Sequence, residues 1–224
     1  MTRTHWAAVT AVVLALLFAG GAAAVTANGP ETPALPGAGS ADAGFARDMA
    51  VHHQQAVEMS FIVRDRTRDQ AVRRLAYDIA NTQANQRGML LGWLDLWKLP
   101  KVDAGREPMA WMADGEGDGA GHGGGHSGHG AGGPKAKPGA LMPGMATKAD
   151  LAELGRLSGR AAEVRYLQLM TDHHKGGVQM AWGCATLCTT PVERELARGM
   201  VAGQQSELDL MAGMLKERGA SPTP

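Results

Sequence analysis

FARDMAVHHQQAVEMS, residues 45–60, and YLQLMTDHHKGGVQMA, residues 166–181, are two copies of one phrase. Their offset of 121 holds without a gap from residues 45–94 to residues 166–215, and eleven of those 50 positions are identical. Ordinary composition would give roughly three identities by chance. Five of the eleven lie inside the phrase: Met49/Met170, His52/His173, His53/His174, Val57/Val178 and Met59/Met180. The chain is a duplicated unit. What its copies share best is imidazole and thioether, groups that bind soft and borderline metals.

Working outward, Asp42 to about Arg66 reads as a helix, with Phe45, Met49, Ala56, Met59 and Ile62/Val63 at helical spacing. A second helix runs from about Asp69 to Lys98 on Val72, Leu75, Ile79, Met89, Leu90, Trp93 and Leu94, and Pro100 stops it. Residues 101–147 hold 14 of the 31 glycines and no periodicity, so they read as a disordered Gly/His/Met linker. A short helix over Lys148–Leu157 follows, with Thr147 as its N-cap. Helix three spans about Arg160–Leu187, and Pro191 starts a fourth that ends near Arg218. No segment alternates like a strand. The expected fold is all-α: hairpins over 42–100 and 148–218 join into one four-helix bundle, because each hairpin alone leaves an apolar face exposed.

The N-terminus reads as an export signal over residues 1–27. Arg3 precedes an apolar stretch from Ala7 to Ala19, and Val25-Thr26-Ala27 offers a small-x-small cleavage site. The 19 uncharged residues Ala7–Val25 also have nearly the length of a membrane anchor. Under either reading the bulk of the chain works outside the cytoplasm, beyond a Pro/Gly tether at 28–41. Lys plus Arg equals Asp plus Glu at 22 each, which marks no nucleic-acid partner. The histidines are concentrated: besides His5, four form the two pairs and three lie in the linker.

At about 100° per residue, Met49, His52, His53, Ala56 and Met59 fall on one face of their helix. Two adjacent histidines straddle the centre of that face, and small Ala56 (Gly177 in the second copy) leaves room beside them. Methionine at helical spacing is ordinarily core filling, and one histidine on an apolar face is ordinarily a satisfied core group. A His-His pair flanked by Met in both copies outweighs those readings. The candidate ligands are Met49, His52, His53 and Met59 with Met170, His173, His174 and Met180. Sulfur with imidazole nitrogen favours copper, Cu(I) above all, ahead of zinc or iron. Asp42/Glu163 and Gln83/Gln204 also match across the repeat. They read as hydrogen-bonding support for the ligands, or, for the two acids, as charges favouring a helix N-terminus.

The phrase D/E-x-x-F/Y-x-x-x-M-x-x-H-H-x-x-x-V-x-M, present twice in register, resembles the secreted, ferritin-like family known as domain of unknown function 305. The resemblance covers about residues 42–217 and extends to Met142-Pro143-Gly144-Met145 and the short helix after it. It implies a four-helix bundle, and some relatives are associated with copper binding and copper tolerance outside the cytoplasm. By position this carries to the eight His and Met ligands just named. Ala162-Glu163 stands where the family often has Phe-Asp, and Lys175-Gly176-Gly177 replaces Gln-Gly-Ala. Lys175, next to His174, would repel a bound cation.

Auxiliary candidates are His122, His126 and His129, which could take Cu(II) or zinc, and Cys184 with Cys188. An exported cysteine pair tends to oxidise, although a regular helix suits a disulfide poorly. A frayed last turn before Pro191 permits the bond, and the alternative is a thiolate site. The expected function is copper binding or sequestration without turnover. The competing readings are a structural or partner-binding bundle and a di-metal oxidase. The oxidase class needs Glu-x-x-His, which occurs nowhere in the chain. Expected partners are the metal ion, a copper-transfer protein or a second copy, with no nucleic acid and no membrane contact beyond an uncleaved N-terminal segment.

Overall fold

In a computed structural model, which describes residues 34–113 and 136–223, the helices are α1 Ala41–Arg66, α2 Gln70–Leu96, α3 Ala110–Ala113, α4 Lys148–Arg156, α5 Gly159–Leu187 and α6 Pro191–Glu217. Local chemistry sets their ends. Ser40 Oγ accepts from Ala43 N and Asp69 from Val72 N, while Thr147 and Asp150 form a reciprocal capping box. Pro191 occupies the first turn of α6, where its missing N–H costs nothing. The second helix stops two residues short of Lys98, which takes a φ of 57° and lets Leu99 N reach Leu94 O at 2.8 Å.

The four long helices form the expected bundle, and no strand occurs among the described residues. α1 packs on α2 and α5 on α6, and the hairpins meet through α1 and α5. Two apolar clusters fill the interior. One holds Phe45, Met49, Leu90, Met180, Cys184 and Met200, and the other Met59, Ile79, Leu154, Tyr166, Met170 and Met211. Met49 therefore shares a cluster with Met180, and Met59 with Met170, so α1 and α5 run antiparallel with their histidine pairs at the crossing.

Asp42 and Glu163 hold the ends of this crossing together. Asp42 Oδ1 accepts from the N–H groups of Thr189 and Thr190 at 3.0 and 2.7 Å, in the turn of the other hairpin. Glu163 accepts from Thr67 Oγ1 at 2.6 Å, in the turn of the first, and from Arg218 Nε at 2.8 Å. Each acid thus bolts down the opposite turn. That corrects the reading of them as support for metal ligands: ten residues of helix, about 15 Å, separate them from the histidines.

The reading of 101–147 as disordered is corrected at both ends, while residues 114–135, with His122, His126 and His129, lie outside the described residues, as do 1–33. At one end α3 docks through Trp111, whose ring meets Phe45 edge-on at 5.8 Å and whose indole N–H donates to Asp48 at 2.9 Å. At the other, Met142 and Met145 are buried in the same cluster as Met49 and Met180. Gln55 of α1 clasps Ala146 through its N–H and C=O at 2.7 and 2.9 Å. On α5, Gly176 lies so close to this segment that a Cβ would stand 2.2 Å from the Pro143 carbonyl oxygen. Gly176→Ala is therefore expected to cost about 2–3 kcal/mol in chemical denaturation. Gly199→Ala, in open space on α6, should stabilise by up to about 1 kcal/mol.

Candidate metal centre

All four paired histidines are fully buried at the α1–α5 crossing. The His52 and His173 rings lie over one another with centroids 3.7 Å apart. His173 Nε2–H donates to the His52 carbonyl at 2.9 Å, which leaves Nδ1 as the nitrogen with a free lone pair. His174 does the same through Glu207, with Nε2 to Oε2 at 2.6 Å. Neither nitrogen of His52 has a partner, nor has Nδ1 of His173 or His174, while the His53 ring makes no close hydrogen bond and faces the amides of Gln86 and Gln83. Four imidazole nitrogens are thus buried with no partner, and the two of His53 meet only side-chain amides, within one layer. A buried polar atom without a partner costs about 1–3 kcal/mol, and folded proteins rarely tolerate several together.

Burial, with the neighbouring imidazoles adding to it, holds His52 and His173 well below the ordinary histidine range. Burial pushes His53 down to about 3. Neutral imidazole is the form that ligates a metal. The flanking thioethers lie on both sides of the layer, Met49 and Met180 in one cluster, Met59 and Met170 in the other. All eight predicted ligands therefore belong to one central region rather than to two separate hairpins.

Gln83 and Gln204 are buried; Gln83 faces the His53 ring, and the amide of Gln204 makes no hydrogen bond. Gln204 presses on Gly177, where a Cβ would stand 2.4 Å from its Oε1, so the room beside the histidines is taken by this amide. Lys175, expected to repel a cation, has an exposed side chain that pairs with Asp172 at 3.6 Å. Its charge is turned to solvent and to a carboxylate. Glu207 was not anticipated. Its counterpart, 121 residues earlier, is Gln86, which with Gln83 lies beside His53. The signal was a Gln/Glu match of equal shape at a position where only identities were counted.

Among the described residues, the three-residue group of His, Cys, Asp or Glu whose donor atoms lie within 4.8 Å of one another is Cys184, Cys188 and Glu193, not the histidines. No three donor atoms of the histidine layer lie within 4.8 Å of one another, so it offers nitrogens in smaller sets, with Met49 and Met180 in the apolar cluster on one side and Met59 and Met170 in that on the other. Cu(I) takes low coordination and thioether ligands, so the residues fit it. Cys184 and Cys188 form a disulfide; the last turn is not frayed, since Cys188 N–H still donates to Cys184 O at 2.9 Å, and Cys188 is the C-cap of α5 with an extended backbone.

Glu193 is buried beside this disulfide, and no donor approaches its carboxyl. Burial, with the Asp42 carboxylate next to it, raises Glu193 from an ordinary 4.5 to about 9. The folded state then holds a proton that the unfolded chain sheds above about pH 4.5, so stability falls as pH rises from 4.5 to 9. Glu193→Gln removes that penalty. It is expected to stabilise the oxidised protein by about 2 kcal/mol at pH 7, and by little at pH 4.5, in denaturant titrations.

The family described as "Domain of unknown function (DUF305)" matches residues 42–215. No curated protein matches the chain. Among solved structures, a DUF305 protein from Streptomyces coelicolor, provisionally described as secreted, is 58% identical with a TM-score of 0.71, over 84% of this chain and 99% of that one. A DUF305 fragment from Deinococcus radiodurans is 27% identical with a TM-score of 0.58, over 79% and 96%. CopM in its Cu(I)-bound form is 18% identical with a TM-score of 0.55, over 79% and 96%, a likeness of fold. CopM has also been solved with Cu(II) and with Ag. No helix among the described residues is long and apolar enough to cross a membrane.

Proposed function

The chain belongs to the family described as domain of unknown function DUF305, and on that footing we propose that it is an extracytoplasmic copper-binding protein that sequesters Cu(I) without catalytic turnover. The observation that carries this reading is the layer of four buried histidines at the crossing of α1 and α5, in which four imidazole nitrogens have no partner and those of His53 meet only side-chain amides. His52, His53, His173 and His174 would supply nitrogen, and Met49, Met59, Met170 and Met180 thioether sulfur. A soft ion there offsets an electrostatic cost that packing leaves standing. Copper held by CopM, a protein of the same fold, supports the choice of ion. Glu207 would hold the His174 ring and bring a hard oxygen to one half of the site alone. A copper-transfer protein that loads or empties the site is the partner this function calls for.

The test is an anaerobic Cu(I) titration of residues 28–224 against a competing chelator, beside a variant lacking 115–133. One or two tightly bound equivalents that persist without the linker support the proposal. Binding that disappears with the linker would move the function to His122, His126 and His129 and leave the bundle as a scaffold.

A further inference from the structure

The turn between α5 and α6 has an internal control in the turn between α1 and α2, because the chain is duplicated. At three positions of the first turn stand Val63, Thr67 and Val72, all buried. Their counterparts at the constant offset of 121 are Cys184, Cys188 and Glu193. At these three positions the first turn closes with apolar and hydroxyl side chains. In the second, all three positions carry metal-ligating groups, and the three donor atoms lie within 4.8 Å of one another. A carboxyl replaces the valine at a fully buried position with no hydrogen-bond donor near it. Its polar neighbour is the Asp42 carboxylate, with which it can share a proton, and crosslinking of the two cysteines does not require it.

We propose that reduction of the Cys184–Cys188 disulfide turns this corner into a second metal site, in which two thiolates and the Glu193 carboxylate hold a thiophilic cation of the Zn(II) or Cu(I) kind. It is separate from the histidine layer, since Cys184 lies eleven residues beyond His173 on α5, about 16 Å along the helix. A dithiol donates two electrons and two protons to the cystine and is itself oxidised to a disulfide. The two thiols formed then release their protons as the cation binds. Cys188 is the C-cap of α5, outside the regular helix and with an extended backbone, so its side chain can rotate once the bond is open. Glu193 keeps its place through α6, with both carboxyl oxygens buried next to the two sulfurs. Oxidised, the corner is closed to metal. Reduced, it takes one ion.

Cd(II) is a suitable probe, because its thiolate charge-transfer band reports sulfur ligation and is blind to imidazole. Residues 28–224 are reduced anaerobically with a phosphine, free thiols are counted, helicity is recorded, and Cd(II) is added. The expected result is two thiols, unchanged helicity and a band that saturates at one equivalent, with none in the oxidised protein. Cys188→Ser should abolish the band. Glu193→Gln should keep both thiols and weaken binding at least about tenfold. The triple replacement Cys184→Val, Cys188→Thr, Glu193→Val, which restores the residues of the first turn, should stay folded and give no band. Two free thiols without a band would overturn the proposal, as would a band indifferent to Glu193→Gln. A reduced chain that loses its helical signal would overturn it too, since the cystine would then be a structural clasp. None of these outcomes bears on copper binding by the histidine layer.

Discussion

Replacing His52, His53, His173 and His174 together by leucine is expected to abolish tight Cu(I) binding and to make the metal-free protein more stable. Losing all four nitrogens should weaken Cu(I) by at least about a thousandfold, about 4 kcal/mol. Leucine is close to histidine in size, so the layer stays filled, and it removes four buried nitrogens that have no partner at the loss of the His173–His52 carbonyl and His174–Glu207 hydrogen bonds. The gain in stability, about 1 kcal/mol or more, is what separates a ligand set from a structural one. Imidazoles held for packing or hydrogen bonding would cost stability when removed. Alanine is a poorer choice, because cavities at four fully buried positions would hide the effect. Chelator competition and denaturant titration of the same variant check both halves of the expectation.

The metal-free protein should also lose stability steeply as pH falls below about 6.5. Burial holds His52, His53 and His173 in the neutral form, whereas the unfolded chain protonates them near an ordinary 6.5. Their contribution is therefore fully present above 6.5 and is lost as pH falls toward the depressed folded values. Each can cost up to about 1.4 kcal/mol per pH unit. Glu193 acts in the opposite sense over the same window, because its folded value is raised to about 9. Three groups against one leave a net loss of up to about 3 kcal/mol per pH unit between 6.5 and 5. That is a large share of the stability of an ordinary domain. Denaturant midpoints across this range should show the slope in the wild type. In the four-leucine variant the slope should reverse to the shallow one of Glu193. A flat profile in the wild type would mean that the imidazoles are hydrated or already charged when folded.

The helices were legible because their apolar residues recur at helical spacing over four or more turns, and the ends agree within a residue or two. The pairing of α1 with α5 was not. Periodicity says which face of a helix is buried but not which helix covers it. That is also why the hydrogen-bond partners of Asp42 and Glu163 could not be read: Asp42 does lie in the first turn of its own helix, but both acids find their partners in the turn of the other hairpin. The ends of the 101–147 segment were hidden by composition. Trp111 and Met142 are single anchors among glycines and prolines, and one anchor makes no period. The eight ligands could be read because the repeat named them. Whether they form one region or two depended on the antiparallel crossing at His52 and His173, which only the fold supplies.

The measurement that bears most directly on the central claim is X-ray absorption at the copper edge of residues 28–224 loaded anaerobically with one equivalent of Cu(I), with the 115–133 linker retained. Copper in the histidine layer predicts a low-coordinate site with both imidazole scattering and a sulfur shell, and that sulfur must be thioether because Cys184 and Cys188 are joined. A shell of imidazole nitrogens without sulfur would contradict the account, since it would leave Met49, Met59, Met170 and Met180 as core filling and not ligands.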